Sequence, residues 1–170
     1  MLVTADTVLT SFLAQLVPHT TVTNILFGAI SYERSLFVIW FIFLTVYLIF
    51  IERRDKIFLI HFFGAMMSAY LISDKILKYI VGRARPMQPQ NFFYLCPKDF
   101  SFPSTHATVS FACAYVLASF DKKRRYIYYL AAILISYSRI YLYCHYFLDV
   151  LGGALLGTLL GYLSIRLRKN

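Results

Sequence analysis

The stretch from Leu36 to Ile51 reads LFVIWFIFLTVYLIFI and contains no charged residue. Such a continuous apolar run approaches the roughly 20 residues that an α-helix needs to cross a bilayer. A second stretch, YFLDVLGGALLGTLLGYLSI at 146–165, carries a single charge near its start. Together the two stretches predict a membrane protein built from helices.

The rest of the chain extends this pattern into an all-α, polytopic transmembrane helix bundle. We predict five spans, at the positions 35–51, 57–81, 104–120, 126–143 and 146–165. Residues 1–30 are apolar but interrupted by Asp6, Pro18, His19 and Asn24, which favours two short interfacial helices. A sixth span there is the alternative. The chain is thus predicted to be a single domain over 1–170, with an interfacial segment at 1–34 and the bundle at 35–165.

The overall composition agrees with a membrane location. Of 170 residues, 59% are apolar and only 15% are charged, whereas about a quarter are charged in soluble domains. The net charge of +9 does not indicate nucleic acid, because basic residues cluster in short segments between apolar runs. That layout is typical of cytoplasmic loops. We therefore expect the lipid bilayer as a partner and no nucleic acid.

The basic clusters also predict the orientation of the bundle. Ten of the 17 basic residues lie in 52–56, 121–125 and 166–170, which are predicted to be cytoplasmic. The segments 82–103 and 144–145 then lie outside, together with the N-terminus. The other seven basic residues fall on the outer side, against the rule, and this indicates a functional role there. They are Arg34, Lys75, Lys78, Arg83, Arg85, Lys98 and Arg139.

The predicted topology gathers ionisable residues at the outer end of the bundle. Ionisable groups in spans are costly and are functional candidates by default. The group comprises Lys78, Arg83, Arg85, Arg139, His106, His145 and Asp149. Arginine forks and lysine charges suit phosphate oxygens, and the start of a helix after Ser104 offers free backbone N–H groups. The outer end is therefore predicted to bind phosphate.

The two histidines and the carboxylate suggest the reaction. Asp149 follows His145 by four residues, so both lie on one face of a helix. A carboxylate so placed orients an imidazole and stabilises its charge. One of the histidines, His106 or His145, then attacks phosphorus while the other protonates the leaving oxygen.

Three blocks of this sequence resemble the type 2 phosphatidic acid phosphatase (PAP2) superfamily. KYIVGRARP at 78–86 is similar to its K-x6-R-P block, and PSTH at 103–106 is similar to its P-S-G-H block. Ser138 and Arg139, followed by His145 and Asp149, resemble its S-R-x5-H-x3-D block. The three blocks occur in order, and the helical frame around them covers nearly the whole chain.

The resemblance implies a role for each matching residue. His145 would be the nucleophile, His106 the general acid and Asp149 the partner of His145. The phosphate-binding residues would be Lys78, Arg85, Arg139, Ser104, Thr105 and Ser138. Arg83 is outside the matching pattern and is predicted to be an interfacial residue. Thr105 replaces the usual glycine of the family, and no span is predicted before residues 1–30, where many members have one.

Metal ions and cofactors are not predicted. The eight acidic residues are dispersed without a DxD pair, whereas a two-metal site needs several carboxylates close together. The cysteines Cys96, Cys113 and Cys144 form no metal-binding spacing and no CxxC pair. Small apolar side chains are the favoured interpretation for them. A disulfide between Cys96 and Cys144 is the alternative.

The resemblance implies a bacterial lipid phosphatase of the cytoplasmic (inner) membrane whose active site faces the periplasm. Its expected substrate is a membrane lipid phosphate, and lipid A 1-phosphate or undecaprenyl diphosphate is favoured over phosphatidylglycerophosphate or phosphatidate. A lipid-to-lipid phosphotransferase is the first alternative, because it needs the same histidine. A non-catalytic phospholipid-binding scaffold is the second.

Overall fold

The computed structural model describes residues 2–50, 56–88 and 96–166. Over these ranges the chain is helical and contains no β-strand. The α-helices are α1 (Leu2–Ala14), α2 (Thr21–Ser31), α3 (Glu33–Phe50), α4 (Lys56–Tyr70), α5 (Lys78–Val81), α6 (Thr105–Phe120), α7 (Arg125–Tyr141) and α8 (Phe147–Arg166). A π-helical segment, Leu71–Leu77, joins α4 to α5, and a short 3₁₀ turn, Lys122–Arg124, precedes α7.

Helices occur at all five positions where spans are predicted, which confirms the all-α bundle. Two helical stretches, Ile57–Val81 and Phe147–Arg166, are long and apolar enough to cross a membrane. The α2–α3 pair, bent by 75°, passes the same test as a single broken unit. The apolar helix α6 is shorter. The count of five spans stays a prediction, as does the interfacial position of α1 and α2.

Helix α6 lies at the centre of the bundle and contacts α3, α4, α7 and α8. Most of its side chains are buried, and this explains why its apolar residues do not follow a single face. The core beside it includes Trp40, whose indole Nε1 donates to Ser110 Oγ at 3.1 Å. A buried indole N–H needs such a partner.

The packing of α8 on α6 depends on glycines spaced four residues apart. A Cβ atom added at Gly157 would lie 2.1 Å from the carbonyl oxygen of Thr108 on α6. Cβ atoms added at Gly153 and Gly161 would also lie under 3.0 Å from the carbonyl oxygens of Ser104, which directly precedes α6, and of Ala112 on α6. The glycine stripe therefore lets the two backbones touch, as the sequence predicts.

The N-terminal helices cover the end of the bundle where α8 begins. The amide of Phe147 donates to Thr10 Oγ1 at 2.9 Å, and that of Leu148 donates to Asp6 Oδ1 at 3.1 Å. The first amides of a helix have no partner within the helix. Helix α1 supplies acceptors for them and so fixes the start of α8.

Candidate active site

A cavity of about 270 Å³ opens at this same end of the bundle. The predicted site residues that line it are Lys78, Arg85, Thr105, His106, Arg139 and His145. Three acidic residues, Glu33, Asp74 and Asp99, share the lining. The structure therefore brings together both histidines and all three predicted cations in one place.

His145 lies in a tight turn between α7 and α8. The amides of Cys144 and His145 both donate to the carbonyl oxygen of Arg139, at 2.9 and 3.2 Å. Tyr143 has a φ of 54°, in the left-handed region that few residues other than glycine adopt. This backbone holds the His145 side chain against the cavity with only 1% of the residue exposed.

The hydrogen bonds of His145 define its tautomer. Its Nε2 lies 3.0 Å from Nη1 of Arg85, and a guanidinium only donates, so Nε2 is the acceptor. A neutral ring then carries its proton on Nδ1. Nδ1 lies 3.7 Å from Oδ2 of Asp149 and 3.4 Å from Oγ of Ser101, which itself donates to that Asp149 oxygen. The lone pair of Nε2 therefore faces the cationic side of the cavity.

The surroundings of His145 also keep its imidazole neutral. Burial lowers the pKa of His145 well below its usual value, and the charges of Arg85, Arg139 and Lys78 lower it further. A histidine with a lowered pKa is unprotonated at neutral pH. An unprotonated Nε2 is what nucleophilic attack requires.

His106 lies in the first turn of α6 and lines the same cavity. Its ring has a hydrogen bond with the backbone of Ser31. Its Nε2 is buried and finds no hydrogen-bond partner among the described residues. A buried polar atom left open beside a cavity is placed to meet a ligand.

Lys78 and Arg85 converge on one carboxylate, that of Asp99. Lys78 Nζ donates to Asp99 Oδ2 and, at 2.8 Å, to Asp74 Oδ1. Arg85 donates through Nη2 to Asp99 Oδ1 at 2.6 Å and through Nε to the Asp99 carbonyl oxygen at 2.9 Å. Burial raises the pKa of Asp99, but the hydrogen bonds from Lys78 and Arg85 outweigh it and the net pKa is lowered. The ionised carboxylate of Asp99 thus forms ion pairs with both Lys78 and Arg85.

Arg139 is 1% exposed and reaches the cavity from α7. Its Nη1 donates to the carbonyl oxygen of Ser31 at 2.9 Å and also to Ser31 Oγ. Ser31 ends α2, so the N-terminal segment holds both Arg139 and His106 in place.

The three predicted hydroxyl residues occupy different surroundings. Ser104 precedes α6 as its N-cap, and its buried Oγ has no partner in the described part of the chain. The hydroxyl of Thr105 donates to Asp74 Oδ1 at 3.2 Å. The hydroxyl of Ser138 donates to the Ile135 carbonyl within α7 at 2.6 Å, and Ser138 is not among the cavity-lining residues. Thr105 therefore lines the cavity, whereas Ser138 does not.

The interpretation of Arg83 as an interfacial residue is wrong. Its Nη1 donates to Asp149 Oδ1 and its Nη2 to Asp6 Oδ2, both at 2.6 Å. Arg83 lies two residues before Arg85, in a segment without regular secondary structure. Its position inside the 78–86 block is the signal that could have identified Arg83. The partner Asp6 is 77 residues away in sequence, and no local pattern indicates it.

The favoured interpretation of the cysteines is also wrong for two of the three. Cys96 and Cys144 form a disulfide, and Cys113 is a free, buried thiol. The segment 96–101 lies beside the turn that carries His145, because Arg85 binds both Asp99 and the Cys144 carbonyl oxygen. Chain segments 48 residues apart are therefore brought into contact by the site itself.

The three sequence blocks, at 78–86, 103–106 and 138–149, thus meet at one cavity. The profile of the PAP2 superfamily matches residues 58–170, a region that contains all three. The chain belongs to the PAP2 superfamily.

The chain is similar to proteins whose names state a phosphatase or diphosphatase activity. The chain is 34% identical over 104 residues to an undecaprenyl-diphosphatase of Sulfolobus acidocaldarius, covering 59% of this chain and 50% of that protein. It is 39% identical over 103 residues to phosphatidylglycerophosphatase B of Bacillus subtilis, covering 53% of this chain and 48% of that protein. The chain thus matches about half the length of these relatives.

The fold agrees with a solved PAP2 structure. The crystal structure of a transmembrane PAP2-type phosphatidylglycerolphosphate phosphatase from Bacillus subtilis superimposes with a TM-score of 0.71 at 24% identity. The superposition covers 99% of this chain and 86% of that one. The N-terminal helices, which lie outside the matched profile, are therefore part of the shared fold.

Proposed function

We propose that this chain is a membrane lipid phosphatase that works through a phosphohistidine intermediate. The observation that carries the proposal is the pair of histidines, His145 and His106, that line one cavity together with Lys78, Arg85 and Arg139. The cations suit the oxygens of a phosphate. Neutral His145 has its lone pair on Nε2, which accepts from Arg85 Nη1 here and becomes free to attack when Arg85 turns to a phosphate oxygen.

In the first step, His145 Nε2 attacks phosphorus and the bond from phosphorus to the leaving oxygen breaks. His106 acts here in its charged form: Nδ1–H stays bonded to the Ser31 backbone, and Nε2–H, on the same cavity, gives its proton to that oxygen and leaves the ring neutral. The ring of His145 becomes positively charged as the P–N bond forms. The carboxylate of Asp149 on its Nδ1 side stabilises this charge, directly or through Ser101.

In the second step, water attacks phosphorus and the P–N bond breaks. His106, now unprotonated, takes a proton from the water, and inorganic phosphate leaves. Lys78, Arg85 and Arg139 stabilise the charge on the phosphoryl oxygens in both transition states. Each step uses side chains only, and we propose that no metal ion takes part.

The Asp99 carboxylate must give way for this chemistry. It is bound by Lys78 and Arg85, the same cations that we assign to phosphate. A phosphate group therefore displaces Asp99 from at least one of them when it binds. The side chain of Asp99 is 31% exposed, so it can turn out of the cavity without crossing the core.

The substrate that we propose is a lipid phosphate in the outer leaflet of a bacterial cytoplasmic membrane. The cavity lies at the end of the bundle opposite the basic segment 121–125, and the chain around it is apolar on its outer surface. Undecaprenyl diphosphate and lipid A 1-phosphate are the favoured candidates. The similarity to an undecaprenyl-diphosphatase supports the first of them.

Phosphate release from a panel of lipids in mixed micelles tests the activity. We expect release by the unchanged protein, none by His145→Ala, and near-normal release by the control His61→Gln, whose histidine lies on α4 outside the cavity. Turnover by His145→Ala close to that of the unchanged protein would remove His145 from the mechanism. A radiolabelled donor with a second lipid present distinguishes transfer to lipid from hydrolysis, and binding without either reaction would indicate a scaffold.

Cysteine labelling in a background without the native cysteines tests the orientation. Lys98 is exposed beside the cavity and Lys123 lies in the basic turn before α7. An impermeant thiol reagent should label Lys98→Cys in intact cells and Lys123→Cys only after permeabilisation. The reverse pattern would place the active site in the cytoplasm.

A further inference from the structure

Two buried carboxylates meet a single guanidinium behind the histidine that we propose as nucleophile. Asp149 is fully buried and Asp6 is 3% exposed. Arg83 donates to one oxygen of each at 2.6 Å, and its guanidinium carbon lies 4.2 Å above the ring of Tyr146. No buried carboxylate is stable without such pairing, since desolvation of an unpaired charge is costly.

Because Arg83 binds Oδ1 of Asp149, the other oxygen, Oδ2, faces His145. Oδ2 accepts from the amide of Tyr146 at 2.9 Å and from Ser101 Oγ, and it is the oxygen nearest to His145. Arg83 holds the other oxygen, Oδ1. The rotation of the carboxylate, and with it the Nδ1 side of His145, is therefore set by Arg83.

Arg83 is in turn positioned by helix α1. Asp6 accepts from Arg83 through Oδ2 and from the Leu148 amide through Oδ1, and Thr10 accepts from the neighbouring Phe147 amide. One face of α1 thus binds both the first turn of α8, which carries Asp149, and the arginine that orients Asp149.

We propose that Asp6 and Arg83 form a positioning relay that aligns Asp149 with His145, so that helix α1 takes part in catalysis without touching substrate. The proposal rests on the phosphohistidine function above. Neither residue lines the cavity, so loss of the relay should lower kcat and leave KM nearly unchanged.

The test compares four full-length proteins in detergent with undecaprenyl diphosphate as substrate. They are the unchanged protein, Asp6→Asn, Arg83→Gln and the double variant. Loss of a residue that orients a metal-binding histidine costs about 10- to 100-fold, and we take the same range for residues that orient the carboxylate behind His145. We expect Asp6→Asn to lower kcat about tenfold, because the amide keeps the Leu148 contact but loses the ion pair, and Arg83→Gln to lower it by about 100-fold.

The double variant gives the sharpest expectation. Without Arg83, the charges of Asp6 and Asp149 repel each other, so Asp6→Asn should be neutral or beneficial in that background. The same tenfold loss in both backgrounds would overturn the relay, because Asp6 would then act independently of Arg83. An unchanged kcat for Asp6→Asn would also overturn it.

Two further measurements separate positioning from stability. The control Asp121→Asn removes a buried carboxylate paired with Arg124 at the far end of α6, and it should lower thermal stability while leaving kcat unchanged. The ¹⁵N shifts of the His145 ring report its tautomer without substrate. We expect the Nδ1–H form in both proteins, because Arg85 still donates to Nε2, and a shifted Nδ1 resonance in Asp6→Asn, whereas identical Nδ1 shifts would contradict the relay. If the unchanged protein releases no phosphate, the proposed function fails and the ¹⁵N comparison still tests the positioning.

Discussion

If the proposed function holds, replacing Asp99 by Asn should tighten the binding of the lipid phosphate. Asp99 forms ion pairs with Lys78 and Arg85, and a phosphate has to replace at least one of them. The Asp99 side chain is 31% exposed, but those of Lys78 and Arg85 are only 5% and 10% exposed, so the value of an exposed pair, about 0.2–1 kcal/mol, is a minimum for each pair. Release of both pairs corresponds to a KM lower by about 2- to 30-fold, with little change in kcat.

Steady-state phosphate release over a range of lipid mole fractions measures this change. Glu33→Gln is the matched control, because Glu33 lines the same cavity and its removal alters the charge equally. In the described part of the chain Glu33 has no ion pair with Lys78 or Arg85, so its KM should change by less than about twofold. A KM for Asp99→Asn that is unchanged or higher would show that phosphate does not compete with this carboxylate. Equal effects of the two variants would indicate general charge repulsion instead.

Three further predictions follow from the site and the packing. Because His145 must be neutral to attack and its pKa is lowered, kcat/KM should fall only as the pH drops below about 6.5. Arg85 helps to lower that pKa, so Arg85→Gln should move the acidic side of the pH profile to higher pH. An unmoved profile, or one moved to lower pH, would contradict the assignment of His145. Activity should survive EDTA and be inhibited by vanadate, which resembles phosphorus under attack; loss in EDTA that Mg²⁺ restores would contradict a metal-free mechanism. Gly157→Ala should lower the thermal unfolding midpoint in detergent, because its Cβ would lie 2.1 Å from Thr108 O. The control Gly64→Ala should be tolerated, because its Cβ would lie 3.8 Å from the nearest atom, Ser164 Oγ. Equal midpoints for the two variants would show that the close contact of α8 with α6 is not required.

The sequence predicts the helices well because hydrophobic length and glycine spacing act locally. The stretch 36–51 is apolar throughout, and the structure has a helix, Glu33–Phe50, over nearly the same residues. The glycines at 153, 157 and 161 lie on one side of any helix, so their contact with a neighbour could be predicted without knowing which helix it was. The two short N-terminal helices were likewise predicted from interruptions in an apolar stretch.

The partners of the ionisable residues were harder to predict. Lys78, Arg85, Arg139, His106 and His145 were grouped correctly because membrane topology places them at one end of the bundle. Their individual contacts depend on distances that topology does not supply.

The sequence by itself determined the class of fold, the end of the bundle where the histidines and cations gather and the membership of the PAP2 superfamily. Those properties follow from composition along the chain and from short motifs. Only the tertiary structure decided that Arg83 binds Asp149 and that Asp99 forms ion pairs with Lys78 and Arg85. It also decided that Cys96 forms a disulfide with Cys144. The physical reason is that an ion pair or a disulfide needs approach to within a few ångströms, and helix packing sets that approach between segments far apart in sequence.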